Sequence, residues 1–387
     1  MKIGVDLRSL QESKRSGVGE YTYKLLDAIF RIDSRNNYFL FYNSFKGVDN
    51  LLPKEWGHLP NVRFCGFRYP NKLLNFSLKF LKRPRIDRLV QKNNNLDLFF
   101  LPNLNFVALS SGVKKIITVH DLSFERYSRF FSWKRRLWHK FINPRKLIRG
   151  CDKVIAVSEN TKRDLVELYG IQPEKIEVVY SGVVKESEIV NQESGIELVR
   201  KKYNLSDHFI LFLGTLEPRK NIEGLIRAFE ILKKSYQLSI SNYQLVIVGP
   251  KGWLCKKILK RAEQSPLRED IKFINYISPE EKFSFYRAAD LFVYPSFYEG
   301  FGFPPLEAAA VGTPVIISAA SSLSEVMGEA ALMVDPNNPV ELAESMRQCL
   351  IDQELRKNLI EKGKKRAEEF SWEKCAQAMV ELFNQLG

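Results

Sequence analysis

The strongest constraint on this chain is an alternation of strand and helix signals that runs through it twice. Short apolar runs at residues 3–7, 38–42, 96–101, 116–120, 154–158 and 176–179, bounded by turn residues, read as strands, with a helix near 19–31 after the first. A second series lies at 209–214, 245–249, 271–273, 291–294, 315–318 and 331–334, and helices close the chain after Pro339. Strands separated by helix-length stretches pair in parallel, with the helices covering both faces of the sheet. Residues 182–205 are polar and lack a clear apolar period, so they are expected to connect two domains. The expectation is an α/β protein with Rossmann-like domains over 1–185 and 186–367 and a closing helix over 368–387. With 387 residues and 45% apolar content, the chain is long enough to bury both cores.

One strand-to-helix loop concentrates the chemistry: Tyr294-Pro295-Ser296-Phe297-Tyr298-Glu299-Gly300-Phe301-Gly302-Phe303-Pro304-Pro305-Leu306-Glu307. Gly300 and Gly302 permit a sharp turn and close approach of a ligand, while Pro304 and Pro305 suit a first helical turn. A helix start beside a glycine loop attracts phosphate. Glu299 and Glu307 on either side of it are suited to accept hydrogen bonds from hydroxyl groups. Phosphate together with a polyol is the chemistry of a nucleotide sugar.

Two glutamates enclosing Gly-Phe-Gly-Phe-Pro-Pro-Leu resemble the donor-site signature of the family-4-type retaining glycosyltransferases (glycosyl transferases group 1). These enzymes have the GT-B fold, two facing Rossmann-like domains with an interdomain cleft. The resemblance covers nearly the whole chain and is strongest over residues 209–336. It implies an acceptor-binding first domain, a nucleotide-sugar-binding second domain and a last helix that crosses back onto the first. Transfer would retain the configuration at the anomeric carbon.

Three more strand-end loops of the second series fit that resemblance. In Gly214-Thr215-Leu216-Glu217-Pro218-Arg219-Lys220-Asn221, Arg219 and Lys220 match the family's diphosphate clamp, a fork and a point charge suited to phosphate oxygens. The others are Val248-Gly249-Pro250-Lys251-Gly252-Trp253 and Asn275-Tyr276-Ile277-Ser278, the latter placed where relatives hold the nucleobase, largely through backbone groups. By the same resemblance Glu307 would accept from ribose hydroxyls and Glu299 from the transferred sugar. Gly214, Gly249, Ile277, Gly300, Phe301, Gly302 and Leu306 would line the nucleotide-sugar site. No Asp-x-Asp occurs anywhere, so no metal is assigned; Arg219, Lys220 and helix starts would neutralise the leaving diphosphate. No cofactor is expected.

In the first half, Ser16-Gly17-Val18-Gly19-Glu20-Tyr21-Thr22 makes a poor dinucleotide fingerprint, because Thr22 stands at the third glycine position. It reads as a tight turn or, by the resemblance, as an acceptor-side loop offering Gly17, Gly19 and Tyr21. His120 ends an apolar strand, where open α/β sheets bind ligands. It is either a structural histidine or the counterpart of the family's cleft histidine, which contacts the donor sugar. Val178-Val179-Tyr180-Ser181-Gly182-Val183-Val184 departs from the commoner Asn-Gly-Val-Asp form, and family contacts are not carried onto it.

Charge is distributed unevenly. Formal net charge is +14, and residues 61–150 alone hold 20 basic against 4 acidic side chains. Two stretches there interleave aromatic and cationic residues: Leu78-Lys79-Phe80-Leu81-Lys82-Arg83-Pro84-Arg85, and Phe131-Ser132-Trp133-Lys134-Arg135-Arg136-Leu137-Trp138-His139-Lys140-Phe141. On a helix, Trp133, Leu137 and Phe141 form one stripe. Two readings stand, a membrane interface and an amphipathic core helix with solvated charges; the regional excess favours an anionic partner, either anionic lipid or an anionic acceptor. Nucleic acid is not expected.

The five cysteines are odd in number and scattered, without disulfide or metal spacing, which fits a reducing cytosol. The sequence passes from Met1-Lys2 into a strand, and no apolar run approaches membrane-spanning length. A cytoplasmic enzyme is expected, with peripheral attachment to the inner face of the cell membrane left open.

Gly252-Trp253 and the Glu-Pro-Arg-Lys-Asn run resemble mannosyltransferases of polysaccharide assembly, which favours GDP-mannose as donor and keeps UDP-sugars open. The acceptor would be a glycan or a lipid-linked sugar. Other readings are a nucleotide-sugar 2-epimerase or a phosphorylase on the same fold, or a non-catalytic basic scaffold. The scaffold accounts for the charge but not for four ligand loops on one sheet edge.

Overall fold

A computed structural model of the chain describes residues 1–11, 16–44, 52–91, 95–184, 192–235 and 242–387. It divides into two compact units, the first of Met1–Leu122, Lys134–Gly182 and Trp372–Gly387, the second of Ser123–Trp133 and Val183–Ser371.

The first unit is built on a sheet of β1 (Lys2–Asp6), β2 (Asn37–Asn43), β3 (Val62–Phe67), β4 (Leu98–Leu101), β5 (Lys114–Val119), β6 (Lys153–Ala156) and β7 (Ile176–Val178). All pairings are parallel, in the order β3-β2-β1-β4-β5-β6-β7. Strand β3 lies beyond the sequence expectation. It is an edge strand only partly buried, so Arg63 and Gly66 interrupt the apolar run that marks a central strand. The strand order reverses between β1 and β4, and the loops that follow those two strands diverge at their carboxyl ends. Helix Gly17–Ile32 follows β1 and packs on helix Trp372–Leu386, whose Phe383 ring lies 5.5 Å from Phe100 of β4.

The second unit holds β8 (Phe209–Leu213), β9 (Gln244–Val248), β10 (Ile271–Ile274), β11 (Leu291–Tyr294), β12 (Val315–Ser318) and β13 (Leu332–Val334). These too are parallel, in the order β10-β9-β8-β11-β12-β13, so the reversal falls between β8 and β11. Loops 214–221 and 295–302 therefore flank the switch point of this sheet, where open α/β sheets bind ligands. Central strands such as β11 are buried along their whole length, which is why their sequences are continuous apolar runs.

The expected connection over 182–205 is corrected in part. Residues 185–191 lie outside the described residues, but Gln192–Tyr203 is a helix. It escapes an apolar-period reading because it docks by polar contacts as much as by burial. Lys202 and Tyr203 both bond Glu281 Oε1, at 2.7 and 3.1 Å, and the Tyr203 ring lies 5.2 Å from Phe285. Residues 123–133, which precede β6 in the chain, belong to the second unit. Phe130 stacks on Phe297 at 5.3 Å, Phe131 on Trp253 at 5.5 Å, and the Trp253 indole donates to the Phe130 carbonyl at 2.6 Å.

Candidate active site

At the β8 and β11 switch point four charged side chains converge. After β8 the chain makes a short 3-10 turn, Pro218–Lys220, entered by Glu217 and closed by Asn221 in the left-handed conformation at φ 55°. Asparagine tolerates that conformation, and its Nδ2 is tied to the Pro336 carbonyl at 2.7 Å. The Arg219 carbonyl accepts from Phe297 N at 2.9 Å, fixing this turn to the loop after β11.

Glu299 receives both cations. Arg219 Nη1 donates to Glu299 Oε2 at 2.9 Å and to the Tyr298 carbonyl at 2.5 Å, and Lys220 Nζ donates to Glu299 Oε1 at 2.6 Å and to the Tyr294 hydroxyl at 2.5 Å. On its other side Arg219 is held by Glu217 Oε1, with Nη2 at 2.7 Å and Nε at 3.0 Å. All four side chains are nearly excluded from solvent. Burial disfavours each charge, and only mutual pairing makes the cluster tolerable. Burial by itself would raise the Glu299 pKa, but the neighbouring Arg219 and Lys220 charges outweigh it and bring the carboxyl down to about 2. Burial also pushes the Lys220 ammonium down, against the pull of Glu299, and pushes Glu217 up, against Arg219 and Lys220.

The glutamate loop is held from β12. Ser321 Oγ accepts from Glu299 N at 2.8 Å, and Ser322 Oγ donates to the Glu299 and Phe301 carbonyls at 2.9 and 3.0 Å. Ser321 sits at φ 56°, ψ −138°, a conformation that a non-glycine residue keeps only where its surroundings enforce it. Gly302, at φ 107°, opens helix Phe303–Ala310, and a Cβ there would lie 2.6 Å from Leu323. No side chain caps this helix start. Pro304 and Pro305 are its second and third residues and bring no N–H, so fewer amide donors face an anion than an ordinary helix start offers.

Glu307, farther along that helix, is set apart from the cluster. Its Oε1 accepts from Lys282 Nζ at 2.6 Å and its Oε2 from the Tyr286 hydroxyl at 3.0 Å, both from helix Pro279–Ala288. Ser278 caps that helix in a reciprocal capping box with Glu281, immediately after half-buried Ile277. The loops after β8 and β9 are in direct contact. Gly249, at φ 148°, donates through its N–H to Ile274 O at 2.8 Å, and a Cβ on it would lie 2.0 Å from the Gly214 carbonyl oxygen.

In the first unit, His120 follows β5 and its Nε2 lies 2.8 Å from the Pro102 carbonyl. A carbonyl only accepts, so Nε2 carries the proton and Nδ1 keeps a lone pair. Burial lowers the His120 pKa more than the Pro102 carbonyl and Asp121 raise it, which keeps the ring neutral. Tyr21 stands edge-on to it at 4.7 Å between centroids and shares a 3.3 Å contact with Thr118 Oγ1. The glycine-rich turn is corrected. Gly17 and Gly19 lie inside the first turn of helix Gly17–Ile32, capped by Ser16, whose Oγ accepts from Gly19 N at 3.3 Å, and neither has a positive φ. A Cβ on Gly17 would meet nothing within 4 Å.

Sequence reasoning brought Arg219, Lys220 and Glu299 to one place but missed their partners. Glu217 stood inside the quoted run without a role. Lys282 and Tyr286, four residues apart on one helix face, carried a signal in their spacing after Ser278. Ser321 and Ser322 carried none.

Two parallel-sheet α/β units of this kind are the GT-B architecture of glycosyltransferases. Residues 17–187 match the family described as Glycosyltransferase Family 4, and residues 196–366 match Glycosyl transferases group 1. O-antigen chain mannosyltransferase B of Escherichia coli is 31% identical over 280 residues, 70% of this chain and 71% of the relative. Among solved structures, sucrose-phosphate synthase from Thermosynechococcus elongatus aligns with a TM-score of 0.75 at 21% identity, covering 100% of this chain and 98% of its own. Anabaena HepE in complex with UDP-glucose aligns at 0.71 and 20% identity, with 100% of both chains covered. This chain belongs to the group 1, family-4-type glycosyltransferases, with mannosyltransferases among its homologues.

Proposed function

We propose that this glycosyltransferase moves a hexose, with mannose favoured, from a nucleoside diphosphate sugar to a glycan or lipid-linked acceptor, retaining the anomeric configuration and using no metal. The observation that carries the reading is the pairing of Arg219 and Lys220 with Glu299 at the β8 and β11 switch point. Two preorganised cations at a sheet's ligand edge suit a diphosphate, whose charge grows as it departs. In the step, the bond from the anomeric carbon to the diphosphate oxygen breaks and a bond to the acceptor oxygen forms on the same face. The acceptor's hydroxyl proton leaves with the nucleoside diphosphate. Gly214, Gly249, Ile277, Gly300, Phe301, Gly302 and Leu306 are assigned to the donor site, with Phe303 and Leu306 the remaining amide donors of the proline-interrupted helix start.

Glu299 is assigned to the sugar and Glu307 to the ribose. Both carboxylates already accept from protein donors, so each ligand hydroxyl uses a further lone pair. His120 is assigned a positioning contact with a sugar hydroxyl through Nδ1, and Gly17, Gly19 and Tyr21 the acceptor side. Mannose is favoured because the Escherichia coli relative is named a mannosyltransferase, and GDP-mannose is the donor proposed; HepE in complex with UDP-glucose keeps UDP-sugars as the second choice. The test is a thermal-shift screen of GDP-, UDP- and ADP-sugars, followed by assay of the stabilising donor for nucleoside diphosphate release with a sugar-extended product. A 2-isomer of the sugar without an extended product would replace transfer with epimerisation.

A further inference from the structure

The helix Trp133–Ile142 has the apolar stripe of a core helix, yet Ile142 is its only buried residue. Leu137 is 57% exposed and Trp138 45%. The core-helix reading of this stretch is therefore excluded, and something other than the protein interior must account for the stripe. A second segment, helix Asn71–Phe76 continued by a π-helical turn Ser77–Leu81, is anchored through buried Leu74 and Leu78 and turns Leu73, Phe76, Phe80 and Leu81 outward. The two segments, far apart in sequence, form one surface. The Phe80 and Phe141 rings lie 5.7 Å apart, Phe76 lies 4.8 Å from Phe80, and Lys79 Nζ stands 4.6 Å over the Phe141 ring.

The charges around this surface have one sign. Lys72, Lys82, Arg83, Arg136 and Lys140 are exposed on the two segments, and across 71–91 and 133–150 the only acid is Asp87, which is buried against the Ser110 amide. We infer that residues 71–85 and 133–141 together form a docking surface for an anionic phospholipid bilayer. Cations bordering an exposed apolar cluster match anionic headgroups above hydrocarbon. A nucleic acid would pair with the cations but leave Leu73, Leu81 and Leu137 wet, because leucine has no ring on which a base can stack. Among the described residues no helix is long and apolar enough to cross a membrane, so contact through this surface would be interfacial. The inference bears on the acceptor named above without resting on it, because vesicle binding is read with no donor present.

The experiment uses the full chain with three vesicle types: phosphatidylcholine alone, phosphatidylcholine with phosphatidylglycerol, and the latter brominated in its acyl chains. Wild type is expected to co-sediment with anionic vesicles only, less at high salt, and its tryptophan emission to be quenched by brominated lipid. The variant Lys82→Ser/Arg83→Ser/Arg136→Ser/Lys140→Ser should lose roughly a hundred-fold or more in anionic-vesicle partitioning. The variant Phe76→Ser/Phe80→Ser/Leu81→Ser should retain weak, salt-sensitive binding and lose most of the quenching. Unchanged thermal stabilisation by nucleotide sugar serves as the fold control for both. Equal partitioning of wild type and both folded variants, or concentration-dependent self-association of wild type that the apolar variant abolishes without any vesicle binding, would overturn the assignment.

Discussion

Lys220 Nζ lies 2.6 Å from Glu299 Oε1, and both groups are buried, seventy-nine residues apart in the chain. The pair welds the loop after β8 to the loop after β11 at the switch point of the sheet. Removing one member strands a buried charge. Lys220→Met should therefore destabilise the protein by about 3 kcal/mol in urea unfolding and abolish turnover. Lys220→Met/Glu299→Gln should recover most of the stability and none of the turnover. A single variant as stable as wild type would show that the pair does not hold the loops.

The acid side of the stability profile should carry a signature of Glu299. Its folded pKa is depressed from 4.5 to about 2 by Arg219 and Lys220 acting against burial. A depressed carboxyl contributes stability that is full above the unfolded pKa and is lost as pH falls through the folded one, here between about pH 4.5 and 2. At about 1.4 kcal/mol per unit, this amounts to about 3 kcal/mol. Glu217, shifted upward by burial, has the opposite sign and offsets part of it. Comparing unfolding free energies of wild type and Glu299→Gln from pH 5 to 2.5 checks this: the gap between them should close as pH falls, and a constant gap would contradict the assignment.

Gly249→Ala should cost about 1–3 kcal/mol of stability and weaken the proposed nucleotide-sugar binding, because a methyl group at φ 148° meets the Gly214 carbonyl oxygen and pries the loops after β8 and β9 apart. Gly17→Ala should be nearly neutral to stability, since its Cβ enters open space within a helix. Urea titrations of the two variants side by side give the comparison. Equal losses would mean that the loop contact at Gly249 is not what demands glycine.

The strands of both sheets were readable in the sequence because a central parallel strand, buried on both faces, must be a continuous apolar run. Val62–Phe67 escaped for the converse reason, as an edge strand in which Val62 alone is buried and Arg63 and Gly66 are exposed. The helix Gln192–Tyr203 escaped because much of its docking is done by Lys202 and Tyr203 on Glu281. Arg219, Lys220 and Glu299 were recognisable one at a time by residue type and loop, but the opposition of the two cations to one carboxylate depends on strand order, which local sequence does not encode. Gly17 and Gly19 looked like a ligand turn because glycine pairs usually break helices; a serine cap started the helix two residues earlier than expected. The stripe on Trp133–Ile142 was ambiguous because interior and interfacial helices share one pattern, and exposure removes only the interior reading.

The proposed clamp is Arg219 and Lys220 holding the diphosphate without a metal. Its most direct test is calorimetric titration of GDP and GDP-mannose, with the UDP counterparts alongside, into wild type and Arg219→Ala/Lys220→Ala in excess EDTA. One nucleotide series should bind wild type, and the double variant should lose roughly a hundred-fold or more in affinity, the worth of two charge-assisted contacts of about 1.5–3 kcal/mol each. Equal affinity in both proteins, or wild-type binding that vanishes in EDTA and returns with magnesium, would contradict it.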